Sequence, residues 1–217
     1  MPAGNERTLV GGAAPLGGIA GPPHCGVRGG CAVAPVSASS IVGLLPDRRI
    51  LEHTIFPYLL NNPECRKILF VGCRWYTRRY NAVFAAKQYS TIDRDPQQRR
   101  NGARHHITDS LENLEAHVAP GELDAIICNG VLGWGLDRPA AVERAFSASH
   151  HCLRDGGLFI VGWNDTARRR VAFLDECEAV KRFDKFSFPG VGSWRYRTRS
   201  WNGHVFDFYV KPAESPT

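Results

Sequence analysis

Two carboxylates and one amide follow short strand-like runs, at points where a strand end can present a side chain to a ligand. Asp93 and Asp109 each end a short run typical of a strand, and Asn129 ends a third. A nucleotide-binding βαβ unit places, about 20 residues after its glycine turn, the carboxylate that accepts hydrogen bonds from ribose hydroxyls. Asp93 stands at about that distance from Gly72. Asp109 is suited to accept from an exocyclic amine such as that of adenine, with capping of a following helix as the alternative.

The strand that precedes Gly72 positions this group of residues. Residues 68–71 form an unbroken apolar run between a polar approach and a glycine, which predicts a strand buried on both faces. Gly72 allows a sharp turn and brings bare backbone close to a ligand. Apolar side chains recur at helical spacing in residues 77–88 and predict a helix there. Strand, glycine turn and helix open a nucleotide-binding unit, whose ligand lies outside the carboxyl ends of the strands.

Strands and helices alternate along the rest of the chain. We predict strands over residues 89–93, 105–109, 123–131 and 158–163, and helices over residues 96–103, 111–118, 138–153 and from about 167 to 182. Asp137 is expected to cap the helix over 138–153, and Gly156 and Gly157 to end it. Asn202-Gly203 joins two strand-like runs and predicts a hairpin. The predicted fold class is α/β, with a mostly parallel sheet that ends in an antiparallel hairpin.

Composition indicates one folded domain preceded by an extension. The chain has 217 residues, of which 43% are hydrophobic, and this is enough for one core. Residues 1–40 are rich in Gly, Ala and Pro and lack periodicity, so we predict a disordered extension. Residues 41–217 are predicted to form the domain, with a helix over residues 46–62 that folds over the ligand site. Tyr58 on this helix is a candidate substrate contact, with packing as the alternative.

Cysteine usage, hydropathy and charge bound the class of protein. Seven cysteines without a CxxC pair favour reduced thiols in a cytoplasmic protein, and no metal site is predicted. No apolar run reaches the roughly 20 residues of a membrane helix, and we predict neither a membrane span nor a signal peptide. The net charge of +6 is compatible with acidic ligands or RNA. An arginine-rich surface is the preferred interpretation of that charge.

Five segments share a further pattern in their order and spacing: ILFVGC at 68–73, TIDRDP at 91–96, ITDSLENL at 107–114, LDAIICNGVLGWG at 123–135 and LRDGGLFIVG at 153–162. Together they resemble the class I S-adenosylmethionine-dependent methyltransferases, especially the small-molecule type, over residues 46–211. The resemblance implies a Rossmann-like sheet of seven strands with helices on both faces. It also implies S-adenosylmethionine as the cofactor and a small molecule as the substrate.

The same resemblance assigns cofactor contacts residue by residue. The turn at Gly72, Cys73 and Arg74 would wrap the methionine moiety, and Asp93, with Arg94 beside it, would hold the ribose. The remaining contacts would come from two pairs of residues: Asp109 and Ser110 at the adenine, and Asn129 and Gly130 near the sulfonium.

The first of these segments departs from the family pattern. The family shows an acid two residues before the first glycine and further glycines after it, whereas this chain has Phe70, Arg74 and Tyr76 at those positions. The missing acid removes an anchor for the amino-acid part of the cofactor or for the turn. Arg74 can instead pair with the ligand carboxylate through its planar guanidinium. The turn is either a variant that binds the cofactor differently or one that no longer binds it, and we favour the first.

Methyl transfer needs proximity and orientation, and a base only if the nucleophile carries a proton, so the catalytic residue need not leave a motif. Trp134 and Trp163 follow strand ends, where they can stack on a planar substrate or shield a sulfonium, with packing as the alternative. Four histidines are possible bases, each with a structural role as the preferred interpretation: His53, His150, His151 and His204.

We therefore predict an S-adenosylmethionine-dependent methyltransferase that acts on a small molecule. A catalytically silent methyltransferase-like scaffold is one alternative, because of the altered turn. An RNA methyltransferase is another, because Arg195 and Arg197 alternate with Trp194 and Tyr196. A nucleic-acid partner is not favoured, since an arginine row on a strand is more often a solvated edge. A nicotinamide dehydrogenase ranks last, because GxGxxG is missing.

Overall fold

The structure of the chain, a computed structural model, describes residues 45–213. The predicted extension over residues 1–40 lies outside the described residues and stays a prediction.

A mixed sheet of eight strands organises this part of the chain. The strands are β1 (Lys67–Val71), β2 (Gln88–Ile92), β3 (His105–Ile107), β4 (Leu123–Asn129), β5 (Leu153–Asn164), β6 (Asp184–Lys185), β7 (Arg195–Arg197) and β8 (His204–Val210). Their order is β3-β2-β1-β4-β5-β8-β6, and β7 also pairs with β8. Strands β1 to β5 are parallel, whereas β8 is antiparallel to β5, and β6 and β7 are antiparallel to β8. The predicted fold class is confirmed, with eight strands because two short ones share one edge of β8.

Helical segments connect the strands, and most of them are short. The α-helices are α1 (Pro46–Ile50), α2 (Phe56–Asn61), α3 (Tyr80–Val83), α4 (Pro139–Cys152) and α5 (Glu178–Lys181). A π-helical turn, Leu51–Ile55, joins α1 to α2. Four 3₁₀ helices complete the set: Trp75–Thr77, Pro96–Asn101, Leu111–Ala116 and Ala172–Glu176.

The core lies on both faces of the sheet, as the unbroken apolar strands require. Leu69 and Val71 of β1 belong to one cluster of buried side chains, together with residues of α4 and α5. Ile68 and Phe70 belong to the other cluster, with residues of α2 and α3. Because successive strand residues point to opposite faces, β1, β2, β4, β5 and β8 each contribute side chains to both clusters. The prediction of helices on both faces is therefore confirmed.

The predicted helix over residues 77–88 is wrong in extent. It is replaced by the 3₁₀ turn at Trp75–Thr77 and the four-residue α3, and Gln88 already belongs to β2. Tyr80 and Phe84 are buried, but Val83 is 40% exposed. The apolar face therefore spans about one turn, which is too little to stabilise a longer helix.

The helix over 138–153 forms nearly as predicted, but its ends differ. Arg138 is the N-cap residue and no side chain caps it, so the predicted cap at Asp137 is wrong. The helix ends at Cys152, and Gly156 and Gly157 lie inside β5. Leu153 is already extended because it pairs with Leu123 of β4. Strand pairing therefore ends this helix in place of a glycine turn.

The predicted arginine-rich helix that reaches residue 182 is also wrong. A turn, the 3₁₀ helix Ala172–Glu176 and the short α5 take its place. Arg169 and Arg170 have partners that precede the predicted helix in the chain. The guanidinium of Arg169 lies over the Trp134 ring, and Arg170 forms a salt bridge with Asp165. The segments over residues 96–103 and 111–118 are 3₁₀ helices, which are shorter than the predicted ones.

Candidate active site

The carboxyl ends of the parallel strands open on a cavity of about 550 Å³. Its walls come from the ends of β1, β2, β4 and β5, from the loops after β3 and β4, and from the beginnings of α1 and β8. The size and position are those expected of a small-molecule site in an open α/β sheet.

Gly72 turns the chain sharply at the end of β1. Its φ of +86° is a conformation that favours glycine, and an added Cβ would lie 2.6 Å from Cγ1 of Val131. Its N–H donates to the carbonyl of Ile92 at 2.9 Å, which holds the turn against β2. The next N–H, that of Cys73, donates to Oδ2 of Asp93 at 2.6 Å. The turn is thus fixed by two bonds to the end of the neighbouring strand.

Asp93 is the carboxylate that joins these two strand ends. Besides the Cys73 N–H, it accepts the N–H of Asp95 on Oδ1 at 2.9 Å, and the Arg74 guanidinium lies 3.7 Å from Oδ2. Its side chain is only 8% exposed, yet it lines the cavity. A carboxylate has about four acceptor positions, so Asp93 keeps capacity to accept hydroxyl groups from a ligand.

Asp109, which follows β3 and also lines the cavity, is held ionised. His117 Nε2 lies 2.8 Å from Oδ2, while Oδ1 accepts from the Asn113 side chain at 2.8 Å and the Ser110 N–H at 2.7 Å. These bonds, that of His117 foremost, lower the pKa of Asp109 below its ordinary value. Its carboxylate can therefore accept from an N–H donor of a ligand at neutral pH.

A chain of three polar side chains, of which Asn129 and His204 are buried, joins the last residues of β4 and β5 to the first residue of β8. His204 Nε2 lies 3.0 Å from Oδ1 of Asn129, and His204 Nδ1 lies 2.6 Å from Oδ1 of Asn164. Burial, with a smaller contribution from the Arg48 cation, lowers the pKa of His204 to about 3. A neutral imidazole has one N–H, so one of the two amides must turn its NH₂ group towards the ring. A Cβ at Gly162 would overlap with Asn129, so the glycine leaves room for this chain.

The beginning of α1 brings two charged side chains to the cavity. Asp47 and Arg48 both line it, and both are only 7% exposed. Arg48 donates to the Tyr80 hydroxyl at 3.1 Å and lies 4.6 Å from the centre of the Tyr76 ring. Sequence analysis missed both residues, because they precede β1 in a segment where only the apolar spacing was informative. It also missed Asn164 and Asn202 as cavity residues.

Most of the predicted site residues meet at this cavity, and three do not. Those that line it are Gly72, Arg74, Asp93, Arg94, Asp109, Ser110, Asn129, Gly130 and Trp134. The Cys73 side chain is buried outside the lining. Tyr58 packs against Phe188, with ring centres 4.6 Å apart, and Trp163 is buried and donates to Asp207 at 2.9 Å. Both aromatic residues thus occupy the packing roles that were the alternatives.

Within residues 45–213 no group of three His, Cys, Asp or Glu side chains could hold a metal ion. In the same range no helix is long and apolar enough to cross a membrane.

Strand order, the glycine turn and the acids after β2 and β3 define a Rossmann-like sheet of the methyltransferase type. A search of solved structures gave the N-methyltransferase NodS from Bradyrhizobium japonicum WM9 in complex with S-adenosyl-l-homocysteine. It is 15% identical, with a TM-score of 0.57, over 78% of this chain and 89% of that chain. A TehB-like SAM-dependent methyltransferase from Corynebacterium glutamicum is 18% identical, with a TM-score of 0.50, over 72% and 86%.

A scan against protein-family models gave no match, and a search of curated protein sequences gave none either. The structural similarity shows that this chain has the fold of the class I S-adenosylmethionine-dependent methyltransferases, as the sequence resemblance implied.

Proposed function

We propose that this protein is an S-adenosylmethionine-dependent methyltransferase that acts on a small molecule. One observation carries the proposal: the Gly72 turn, Asp93 and Asp109, which the resemblance assigns to the methionine moiety, the ribose and the adenine, line one cavity. The spare acceptor positions of Asp93 and the ionised Asp109 match the hydroxyl and amine donors of an adenosine. Structures with the same fold include a methyltransferase bound to S-adenosyl-l-homocysteine.

The side chains that replace the family's acid and glycines around the Gly72 turn do not fill the cavity. Phe70 points into the core, where its ring centre lies 5.4 Å from that of Tyr80. Arg74 donates to the carbonyl of its neighbour Cys73 at 2.8 Å and approaches Asp93. The Tyr76 ring lies beneath the guanidinium of Arg48. Because each of these side chains has a protein partner and the cavity remains, the variant turn favours cofactor binding over a silent scaffold.

The bound cofactor would supply a methyl group already activated by its sulfonium, so the residues of this chain act by binding and orientation. His204 has its pKa lowered to about 3 and is therefore a weak base. We assign it a positioning role, in which it fixes Asn129 at the edge of the cavity. The nucleophile must then offer a lone pair without help from this histidine.

Two features support a small substrate over RNA. The cavity is a defined volume of about 550 Å³ at the strand ends. Arg195 and Arg197 of the proposed nucleic-acid face pair with Asp207 and Asp165 of the same chain. The Trp134 ring, 54% exposed at the cavity, carries the Arg169 guanidinium 3.6 Å from its centre and can contact a planar substrate.

Isothermal calorimetry with S-adenosylhomocysteine tests the cofactor site. The wild type should bind, and Asp93→Asn should weaken binding by about 10-fold to 100-fold, the effect of losing charged hydrogen bonds. Asp137→Asn, which removes an exposed carboxylate outside the cavity, is the matched control and should bind like the wild type. A folded wild type that does not bind would overturn the proposal.

A second assay tests the substrate class. The enzyme is incubated with S-adenosylmethionine and either a low-molecular-mass extract or total RNA, and the release of S-adenosylhomocysteine is measured. Only the low-molecular-mass extract should support release. Release with RNA alone would overturn the assignment of a small substrate.

A further inference from the structure

The cavity contains a pair of adjacent buried charges that the roles assigned above do not use. Asp47 and Arg48 are each more than nine-tenths buried, and both line the cavity. Among residues 45–213 no group hydrogen-bonds to Oδ1 of Asp47, although that atom is buried. Within the same range, neither residue takes part in an ion pair. In the part of the chain that the structure describes, the one hydrogen-bond acceptor of the Arg48 side chain is a neutral hydroxyl, that of Tyr80.

Such charges are costly unless something compensates them. A buried carboxylate oxygen without a donor loses its hydration and gains nothing in return, and a buried guanidinium loses its hydration as well. Both groups face the same cavity, so a ligand can supply the missing partners. The ligand must offer an N–H or ammonium donor to Asp47 and an anionic acceptor to Arg48.

One common chemical group has both features at adjacent positions, namely the zwitterionic α-amino acid. We propose that Asp47 and Arg48 bind the α-amino-acid end of a ligand, with Asp47 at the ammonium and Arg48 at the carboxylate. Resting on the function proposed above, we assign this end to the methionine moiety of S-adenosylmethionine.

The position of the pair supports the cofactor as the source of the zwitterion. Phe70 stands where the resemblance places an acid for this part of the cofactor, and its side chain is buried in the core. Arg48 donates to Tyr80 and stacks on Tyr76, and both of these residues follow the Gly72 turn. The beginning of α1 thus lies over the turn that the resemblance assigns to the methionine moiety. Asp47 can supply from there the carboxylate that position 70 lacks.

A network of hydrogen bonds holds this segment in place without any ligand. The Tyr80 hydroxyl, which accepts from Arg48, donates to Oε1 of Glu52 at 2.7 Å. The same carboxylate pairs with Arg79. The helical segment over residues 46–61 is therefore tied to α3, so that the pair is organised before a ligand arrives.

Two ligands that differ only in the amino-acid end test the inference. S-adenosylhomocysteine carries this end, whereas 5′-methylthioadenosine keeps the adenosine and the sulfur without it. Calorimetry with the full-length chain gives the affinity of each for the wild type, Asp47→Asn and Arg48→Lys. The lysine keeps the charge but loses the planar guanidinium. Arg49→Gln changes an exposed neighbour and is the matched control.

We expect both cavity variants to bind S-adenosylhomocysteine roughly 10-fold more weakly or worse, and 5′-methylthioadenosine as the wild type does. Retained binding of 5′-methylthioadenosine also shows that the variant is folded with an intact adenosine site. Unchanged affinity for S-adenosylhomocysteine in Asp47→Asn would overturn the inference while the proposed function stands. Equal losses for both ligands would overturn it too, because the effect would not follow the amino-acid end. A wild type that binds neither ligand would overturn the proposed function itself.

Discussion

Removal of the Arg195 side chain should destabilise the domain through a buried carboxylate. Asp207 lies in the middle of β8, directly opposite Arg195 of β7, and its side chain is 0% exposed. The Arg195 guanidinium donates two hydrogen bonds to this carboxylate, from Nε to Oδ1 at 2.5 Å and from Nη2 to Oδ2 at 2.9 Å. The indole N–H of Trp163 donates to Oδ2 at 2.9 Å. Arg195→Ala leaves this carboxylate with one neutral donor.

The magnitude follows from the burial of the two partners. Breaking a fully buried ion pair costs about 3 to 5 kcal/mol, mostly because one charge stays buried without its partner. The Arg195 side chain is 31% exposed, so water compensates part of the loss. We therefore expect Arg195→Ala to lower the free energy of unfolding by about 3 kcal/mol, and the melting temperature by about 6 to 12 °C.

Urea unfolding, followed by tryptophan fluorescence and circular dichroism, measures this change. Arg197→Ala is the matched control on the same strand, because its side chain is 58% exposed and its partner Asp165 has a second arginine, Arg170. That variant should lose less than about 1 kcal/mol. Adding Asp207→Asn to Arg195→Ala should recover part of the loss, since the unpaired charge disappears.

The reasoning is refuted if Arg195→Ala and Arg197→Ala lower the free energy of unfolding equally. It is also refuted if Asp207→Asn makes the Arg195→Ala variant less stable still.

Three further predictions follow from buried groups. Because the pKa of His204 is lowered to about 3, the unfolded chain binds a proton below its ordinary pKa of about 6.5 while the folded chain does not. The free energy of unfolding should therefore fall by up to about 1.4 kcal/mol per pH unit as the pH is lowered between these two pKa values. His204→Gln should flatten this pH dependence, measured by urea unfolding at about pH 4.5 to 7.5. The same pH dependence in the variant and the wild type would contradict the prediction. Gly162→Ala should weaken S-adenosylhomocysteine binding in calorimetry, because the added methyl overlaps with Asn129; wild-type affinity would show that the amide is not needed there. Burial raises the pKa of five thiols to about 11 or 12, namely those of Cys65, Cys73, Cys128, Cys152 and Cys177. A thiol reagent at pH 8 should therefore label these cysteines only after unfolding, as mapped by mass spectrometry. Rapid labelling of the native protein would refute this prediction.

The strands were predictable because their signal is local. A parallel strand buried on both faces needs an unbroken apolar run, and those that became β1, β4 and the second half of β5 stand out in the sequence. Gly72 directly follows β1, whereas Asp93 and Asp109 follow the less apolar strands β2 and β3. These three residues were predictable because the carboxyl ends of parallel strands lie at one edge of the sheet.

The helices were less predictable because short helices depend on packing. Residues 77–88 and 167–182 have helical spacing or composition, but an isolated helix of this length gains too little to form by itself. In the folded chain, the arginines after β5 contact Trp134 and Asp165, which favours a turn. Sequence also left open whether Trp163 faces a ligand, and the register of β5 and β8 places it beside Asp207.

The order of the strands along the chain, the glycine turn and the two acids proposed to hold the adenosine could be predicted from the sequence, because each depends on neighbours close in sequence. The rest of the cavity depends on contacts between segments that are far apart in the chain. Asn164 meets His204 across 40 residues because β8 returns antiparallel to β5 in that register. Asp47 and Arg48 reach the cavity because the segment before β1 packs on α3. Contacts between distant segments depend on how the sheet and helices pack together, and no local pattern of residue types specifies that packing.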